Sequence, residues 1–304
     1  MALSNDLLLD EPPRANDIGT AVSNLAAPDR RRVKRHAPVL VWVAVAWLAL
    51  LVLCAIFADF LPIKGYARPA GPLRQAPGWH SVSLLGTDAI GRSQLSRVIY
   101  GARQSLTIAV GAVSIGLALG GLLGLLGGYF RGRVDALIAL FTDSVLAVPP
   151  LLMIVAVTAF LERTMLTITM ALALLAVPTY VRVARAHTLT LARREFVEAA
   201  RALGASRRRI IFKELLPNVA LPLISYVFLI TASVIVAEGT LSFLGLGLPP
   251  PRPTWGAMIK DGRNYLSKSP AIIAVPAAAL TVTVMALNIV GDHARLRYEF
   301  GRAR

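Results

Sequence analysis

Apolar residues in this chain gather into long blocks with almost no charge between them, and the polar residues fall into the gaps. The stretch from Ala37 to Ala58 is nearly pure Val, Leu, Ala and Trp. That suits one helix crossing a bilayer, which takes about 20 apolar residues. Residues Gln104 to Phe130 carry no charge at all, and their Gly111, Gly116, Gly120, Gly121 and Gly124 sit where neighbouring helix backbones can approach closely. A third span starts near Ala136, passes Asp143 and reaches Leu161, with Pro149 and Pro150 predicted to kink it. The fourth covers Thr164 to Val181, the fifth Leu215 to Ala237 and the sixth Ser269 to Gly291. The expected fold class is all-α, a polytopic membrane protein with six transmembrane helices, and an even number of crossings puts both ends of the chain on one side.

The gaps divide the chain further. Residues 1–36, with Pro12, Pro13 and Pro28 and no helical period, read as a disordered tail. A membrane domain is expected over 37–292, and a short second tail over 293–304. A loop at 62–103 opens with many Pro and Gly residues. Its second half repeats apolar residues at Leu95, Val98, Ile99 and Ala102, a spacing that predicts a helix leading into the second span. The loop at 188–217 carries two short helices. Phe196, Val197, Ala200 and Leu203 form an apolar stripe, Gly204 suits a left-handed helix end, and Ser206 suits the cap of the next helix. Pro217 marks the expected turn into the fifth span.

Composition agrees with a membrane location: 56% of residues are hydrophobic and 16% charged, against roughly a quarter charged in soluble domains. The net charge of +15 first suggests nucleic-acid binding. However, about two thirds of the basic residues fall in alternate gaps, which by the positive-inside tendency gives cytoplasmic termini and basic loops facing anionic lipid. No nucleic-acid partner is therefore expected. The single cysteine, Cys54, has no partner for an intrachain disulfide and is expected to pack in the first span. The apolar run is too long and starts too late for a cleaved signal peptide.

Glu198-Ala199-Ala200, Gly204 and Leu216-Pro217 stand at the spacing of the EAA loop of bacterial ABC-importer permeases. The stretches Leu85–Arg92, Leu95–Arg97 with Tyr100–Arg103, Leu241–Gly247 with Trp255-Gly256, and Asn288–Asp292 resemble the C-type permeases of dipeptide, oligopeptide and nickel uptake systems. Two positions depart from the pattern: Glu214 replaces a usual apolar residue, and His293–Arg304 replaces the usual acidic, proline-bearing ending. The resemblance implies a type I ABC-importer permease in the bacterial inner membrane. It implies pairing with a B-type permease chain, two ATPase subunits on the cytoplasmic face and an extracytoplasmic binding protein delivering di- or oligopeptides. In that family the EAA loop is the coupling helix that enters a cleft on the ATPase. Glu198, Ala199, Ala200, Gly204, Leu216 and Pro217 inherit that role.

The residues bear their own reading beside the resemblance. Ala199, Ala200 and Ala202 keep the first short helix slim and strongly helical, and Glu198 can pair with a partner's cation or with Arg194 or Arg201. An amphipathic helix lying on the membrane is the plainer alternative. Arg207, Arg208 and Arg209 suit lipid headgroups. Asp143, alone in its span, suits a helix contact better than a proton relay. Glu238 and Trp255 are candidates for the translocation path or gate, with a local cap and interfacial anchoring as their respective alternatives. Leu248–Trp255 and the loop at 62–103 are expected to receive the binding protein.

No Gly-x-x-x-x-Gly-Lys occurs, since Lys34, Lys64, Lys213, Lys260 and Lys268 all follow other residues. ATP and Mg are accordingly expected on partner subunits, with no cofactor, metal or catalytic residue in this chain. Rival readings are a permease for nickel, glutathione or another small solute, and, from a different class, an ion-coupled secondary transporter. The latter wants paired carboxylates near the midplane.

Overall fold

The computed structural model describes residues 38–79 and 84–301; the tail expected over 1–36 lies outside them. Among the described residues the structure is helical, with two isolated β-bridges, Pro69 to Arg92 and Thr87 to Ser93. Helix α1 is Pro38–Ile56 and α2 is Gln94–Phe130. They are followed by α3 (Gly132–Ala147), α4 (Pro150–Phe160), α5 (Met165–Leu191) and α6 (Glu195–Ala202). The remainder is α7 (Arg207–Ser225), α8 (Val227–Phe243), α9 (Trp255–Gly262) and α10 (Ala271–Gly301). By length and composition α1, α2, α5 and α10 can each cross a membrane, and α3 with α4 and α7 with α8 meet the same test as bent pairs. Six crossings result when each bent pair counts as one.

Several elements differ in extent from the sequence pattern. α2 begins at Gln94 because the Ser93 hydroxyl accepts the Ser96 amide at 3.4 Å and closes the first turn. At 37 residues it is about 55 Å long at 1.5 Å per residue. The expected proline kink in the third span is a right-angled break, 88° between α3 and α4. The fifth span bends by 51° at Tyr226 rather than at Pro217. Helix runs unbroken through Pro217 because a π-turn over Ile210–Leu215 loosens the hydrogen-bond ladder just before it. α5 and α10 overrun their expected ends, to Leu191 and Gly301, with Pro178 and Pro276 inside them.

The centre of the bundle is the parallel pair α2 and α5, and its spacing is set by glycine. A β-carbon placed on Gly116 would meet Ala176 Cβ at 2.7 Å, one on Gly120 would meet Tyr180 Cβ at 2.7 Å, and one on Gly124 would meet Ala184 Cβ at 2.6 Å. Gly128 repeats this against Thr188 at 2.7 Å. Every fourth residue of α2 thus gives up its side chain so that two backbones can touch. In lipid, where helix pairing has little hydrophobic drive, close backbone packing is what holds helices together. Ion pairing adds to it at one end: the Arg185 guanidinium of α5 reaches Asp135 of α3, with Nη2 at 2.6 Å from Oδ2. On the flank, Trp47 of α1 donates to Thr283 of α10 at 3.2 Å.

Candidate functional site

At the C-terminal end of α2 the chain builds an elbow from α6 and the start of α7. Glu195 and Glu198 occupy the first turn of α6, where negative charge suits the helix dipole. The helix stops as its sequence predicts. Gly204 takes φ +78°, its amide bonds to Arg201 O at 2.9 Å, and the Ala205 amide bonds to Ala200 O at 2.9 Å. This pair of bonds is a Schellman motif. Ser206 then caps α7, its hydroxyl accepting the Arg209 amide at 3.3 Å.

The predicted apolar stripe splits between two faces. Val197 is fully enclosed, with Ile210 and Leu215 beside it in the same core, whereas Leu203 is 88% exposed. Glu198, Ala199 and Gly204 are exposed as well, and Ala200 and Leu216 are half-buried. Pro217 is also exposed, one turn further along α7. Among the described residues Glu198 forms no ion pair, and Arg201 turns instead over the Tyr129 ring, 5.9 Å from its centroid. The elbow is therefore rooted in the bundle by apolar side chains, and its outer surface combines a carboxylate, a slim alanine face and a projecting leucine.

The opposite end of α2 is built on different terms. Asp88 sits in a tight turn between Gly86 (φ +78°) and Gly91 (φ +82°), a backbone shape that favours glycine. Its Oδ1 accepts the amides of Ile90 and Arg92 at 3.0 and 2.9 Å. Its Oδ2 accepts Arg92 Nε at 2.6 Å and also Arg97 Nη1. Arg97 Nη2 continues the chain of charge to Asp261 on α9 at 3.3 Å. Burial pushes the Asp261 carboxyl up from its ordinary range, with Arg92 and then Lys260 drawing it back. Sequence reasoning gave this network no role. The spacing of Asp88, Arg92 and Arg97 was a visible signal, but Asp261, distant in sequence, was not.

Glu238 and Trp255 meet at this same end, and both are enclosed. Trp255 has no exposed surface, donates from its indole to Val98 O at 3.1 Å, and packs on Gly101. Interfacial anchoring by Trp255, one of the two alternatives, is thereby corrected: a ring with no free surface touches no membrane. Glu238 is 1% exposed and accepts from Ser105 at 2.8 Å and Ser242 at 2.6 Å. Gly256 lies so close to Gly239 that an added β-carbon would be 2.8 Å from its Cα. In this conformation the two side chains brace α2, α8 and α9 against one another. Asp143 also has company: Arg182 of α5 donates to it at 3.1 Å, and both side chains are exposed. It is a contact between α3 and α5, in keeping with the helix-contact expectation.

Residues 95–299 match the family model described as binding-protein-dependent transport system inner membrane component. The chain belongs to this family. This permease is 38% identical over 254 residues to the di/tripeptide transport system permease protein DppC of Pseudomonas aeruginosa, covering 82% of the chain and 84% of that protein. It is 34% identical to the dipeptide transport system permease protein DppC of Alkalihalophilus pseudofirmus, covering 95% and 94%. To the glutathione transport system permease protein GsiD of Pectobacterium atrosepticum it is 33% identical, covering 88% and 87%. A chain of the MetNI methionine ABC transporter in an inward-facing conformation shares the fold, with a TM-score of 0.54, 18% identity, and coverage of 65% of this chain and 94% of that one. The permease is a multi-pass inner-membrane protein with the all-α architecture of type I ABC importers, and it is a transport component, not itself a catalyst.

Proposed function

We propose that this permease imports di- and oligopeptides, forming one wall of the path and taking its driving motion through the α6–α7 elbow. The observation that carries the reading is the elbow itself, an outward-facing Glu198-Ala199-Ala200 helix closed by the Gly204 turn and tied by Val197, Ile210 and Leu215 into the bundle. A rigid projection rooted in spanning helices transmits displacement, because packed cores shift as units between discrete arrangements. Glu198, Ala199, Ala200, Gly204, Leu216 and Pro217 form the surface or frame of that projection. Two ATPase subunits, which hold ATP and Mg, are its partners on the cytoplasmic side. The basic segments flanking the spans support cytoplasmic termini.

A second, B-type permease chain supplies the opposite wall, and Asp143 with Arg182 is an exposed charged pair at span depth of the kind that faces water or protein rather than lipid. An extracytoplasmic binding protein docks on the loops around 62–103 and 248–255. Glu238 and Trp255 belong to the gate beneath, as the brace that must shift when the outer end opens. Peptide cargo is supported by the names of the relatives, and glutathione, also a peptide, by one of them.

The test is uptake of labelled dialanine by cells carrying the chain with its neighbouring genes, with and without the ATPase genes. Uptake that needs the ATPases and is competed by dipeptides supports the reading. Accumulation that survives their removal rejects it.

A further inference from the structure

A cavity of about 640 Å³ opens at the N-terminal end of α2, between the Asp88 turn, the Leu248–Arg252 segment and α9. It lies the whole length of α2 away from the elbow, and its volume falls in the range of small-molecule sites, roughly 300–1,000 Å³. Two features of its lining are unexplained by the fold. Gln94 and Arg97 are 1% and 3% exposed, and Gln94 Oε1 and Arg97 Nε have no hydrogen-bond partner among the described residues. A buried orphan polar group costs about 1–3 kcal/mol, so a free acceptor and a free donor on residues one turn apart along α2 call for a ligand that offers both. Cations also dominate the lining. The side chains of Arg252 and Arg263 are exposed and form no ion pair or hydrogen bond among the described residues, and Asp261 lines the same cavity half-exposed.

We propose that this cavity binds a short peptide in zwitterionic form, with its carboxylate on Arg252 and Arg263, its ammonium toward Asp261 and its peptide group over Gln94 and Arg97. A peptide group supplies the N–H that Gln94 Oε1 lacks and the C=O that Arg97 Nε lacks. An acidic side chain from a docked protein would offer acceptors alone and fill little of the volume. The site rests on the peptide-import reading and adds to it a waiting place for cargo at the end remote from the coupling elbow.

The experiment is equilibrium binding of radiolabelled Ala-Ala to the full chain in lipid nanodiscs, with whatever subunits co-purify and without nucleotide. Ala-Ala amide, which lacks the carboxylate, is expected to bind at least tenfold more weakly, as is Ala-Ala to the R252Q/R263Q double variant. R252K/R263K is expected to retain binding. Melting temperature should be unchanged in both variants, since neither side chain is bonded among the described residues. Equal binding of Ala-Ala and its amide, no saturable binding, or unaltered affinity in R252Q/R263Q would overturn the proposal. So would a double variant that binds Ala-Ala normally and loses only its response to the binding protein, because the cavity would then serve docking. Glu198→Lys is expected to lose uptake and keep Ala-Ala binding, so failure of the coupling reading is distinguishable from failure of this one.

Discussion

Asp88 and Glu198 are both carboxylates beside a helix end, at opposite ends of the bundle, and the chain treats them in opposite ways. Asp88 is enclosed and meets two backbone amides and two guanidinium groups of its own chain. Glu198 is exposed and meets no cation among the described residues, although Arg201 stands on the same short helix. A charge that a fold has neutralised internally holds that fold together. A charge left open at the tip of a rigid projection is available to another molecule. The two ends of the permease should therefore answer mutation differently, one through folding and the other through transport.

The largest effect is expected between the ends, where α2 and α5 touch. Gly120→Val should prevent normal assembly, because any side chain there meets the Val177 carbonyl and Tyr180 Cβ. Overpacking of this kind costs about 1–3 kcal/mol even where neighbours can yield, and backbone cannot yield. The check is the amount of protein in the membrane fraction together with its melting temperature in detergent. Next comes Asp88→Ala, which leaves the enclosed Arg97 guanidinium with only the longer contact to Asp261. Stranding one partner of a buried pair costs about 3–5 kcal/mol, so melting should fall by several degrees, and Asp88→Asn should lose less.

Glu198→Lys should show the reverse behaviour, with unchanged melting and at least tenfold less uptake. A loss of stability matching the loss of uptake would erase the contrast between the two ends. Gly204→Ala is milder, about 1 kcal/mol from the left-handed backbone alone, since the space around Gly204 is empty; Gly204→Pro, which cannot adopt φ +78°, should abolish uptake. The smallest effect is at Asp59, where the Arg103 guanidinium, helped by the Tyr100 hydroxyl, holds the carboxyl below the usual range. A carboxyl lowered in the fold contributes stability above its unfolded pKa and loses it as pH falls through the folded value. The gap in melting temperature between the native chain and Asp59→Asn should therefore be slight at neutral pH and close in acid.

What could be read in the sequence was local. The Schellman end at Gly204 and the cap at Ser206 follow from single residues with distinctive backbone preferences, and both stand where the residue types predict them. The glycine row in α2 announced close packing, though not against which helix. The bend at Tyr226 was not legible, because Pro217 is the usual breaker and nothing in the sequence advertises the π-turn that absorbs it. Glu238 and Trp255, candidates for the path or gate by sequence, lie enclosed, because Gly101, Gly239 and Gly256 let α2, α8 and α9 close over them. Long-range partners such as Arg97 with Asp261, or Asp143 with Arg182, leave no periodic trace and emerge only once the helices are assembled.

The elbow's role as the entry point of motion is tested most directly by cross-linking. Leu203→Cys, in a Cys54→Ala background, places a lone thiol on the most exposed apolar position of the elbow. The account predicts a cross-link from this thiol to a nucleotide-binding subunit, with a yield that changes when ATP is added. ATP-dependent uptake that continues while the thiol captures no such subunit, with or without nucleotide, would contradict it.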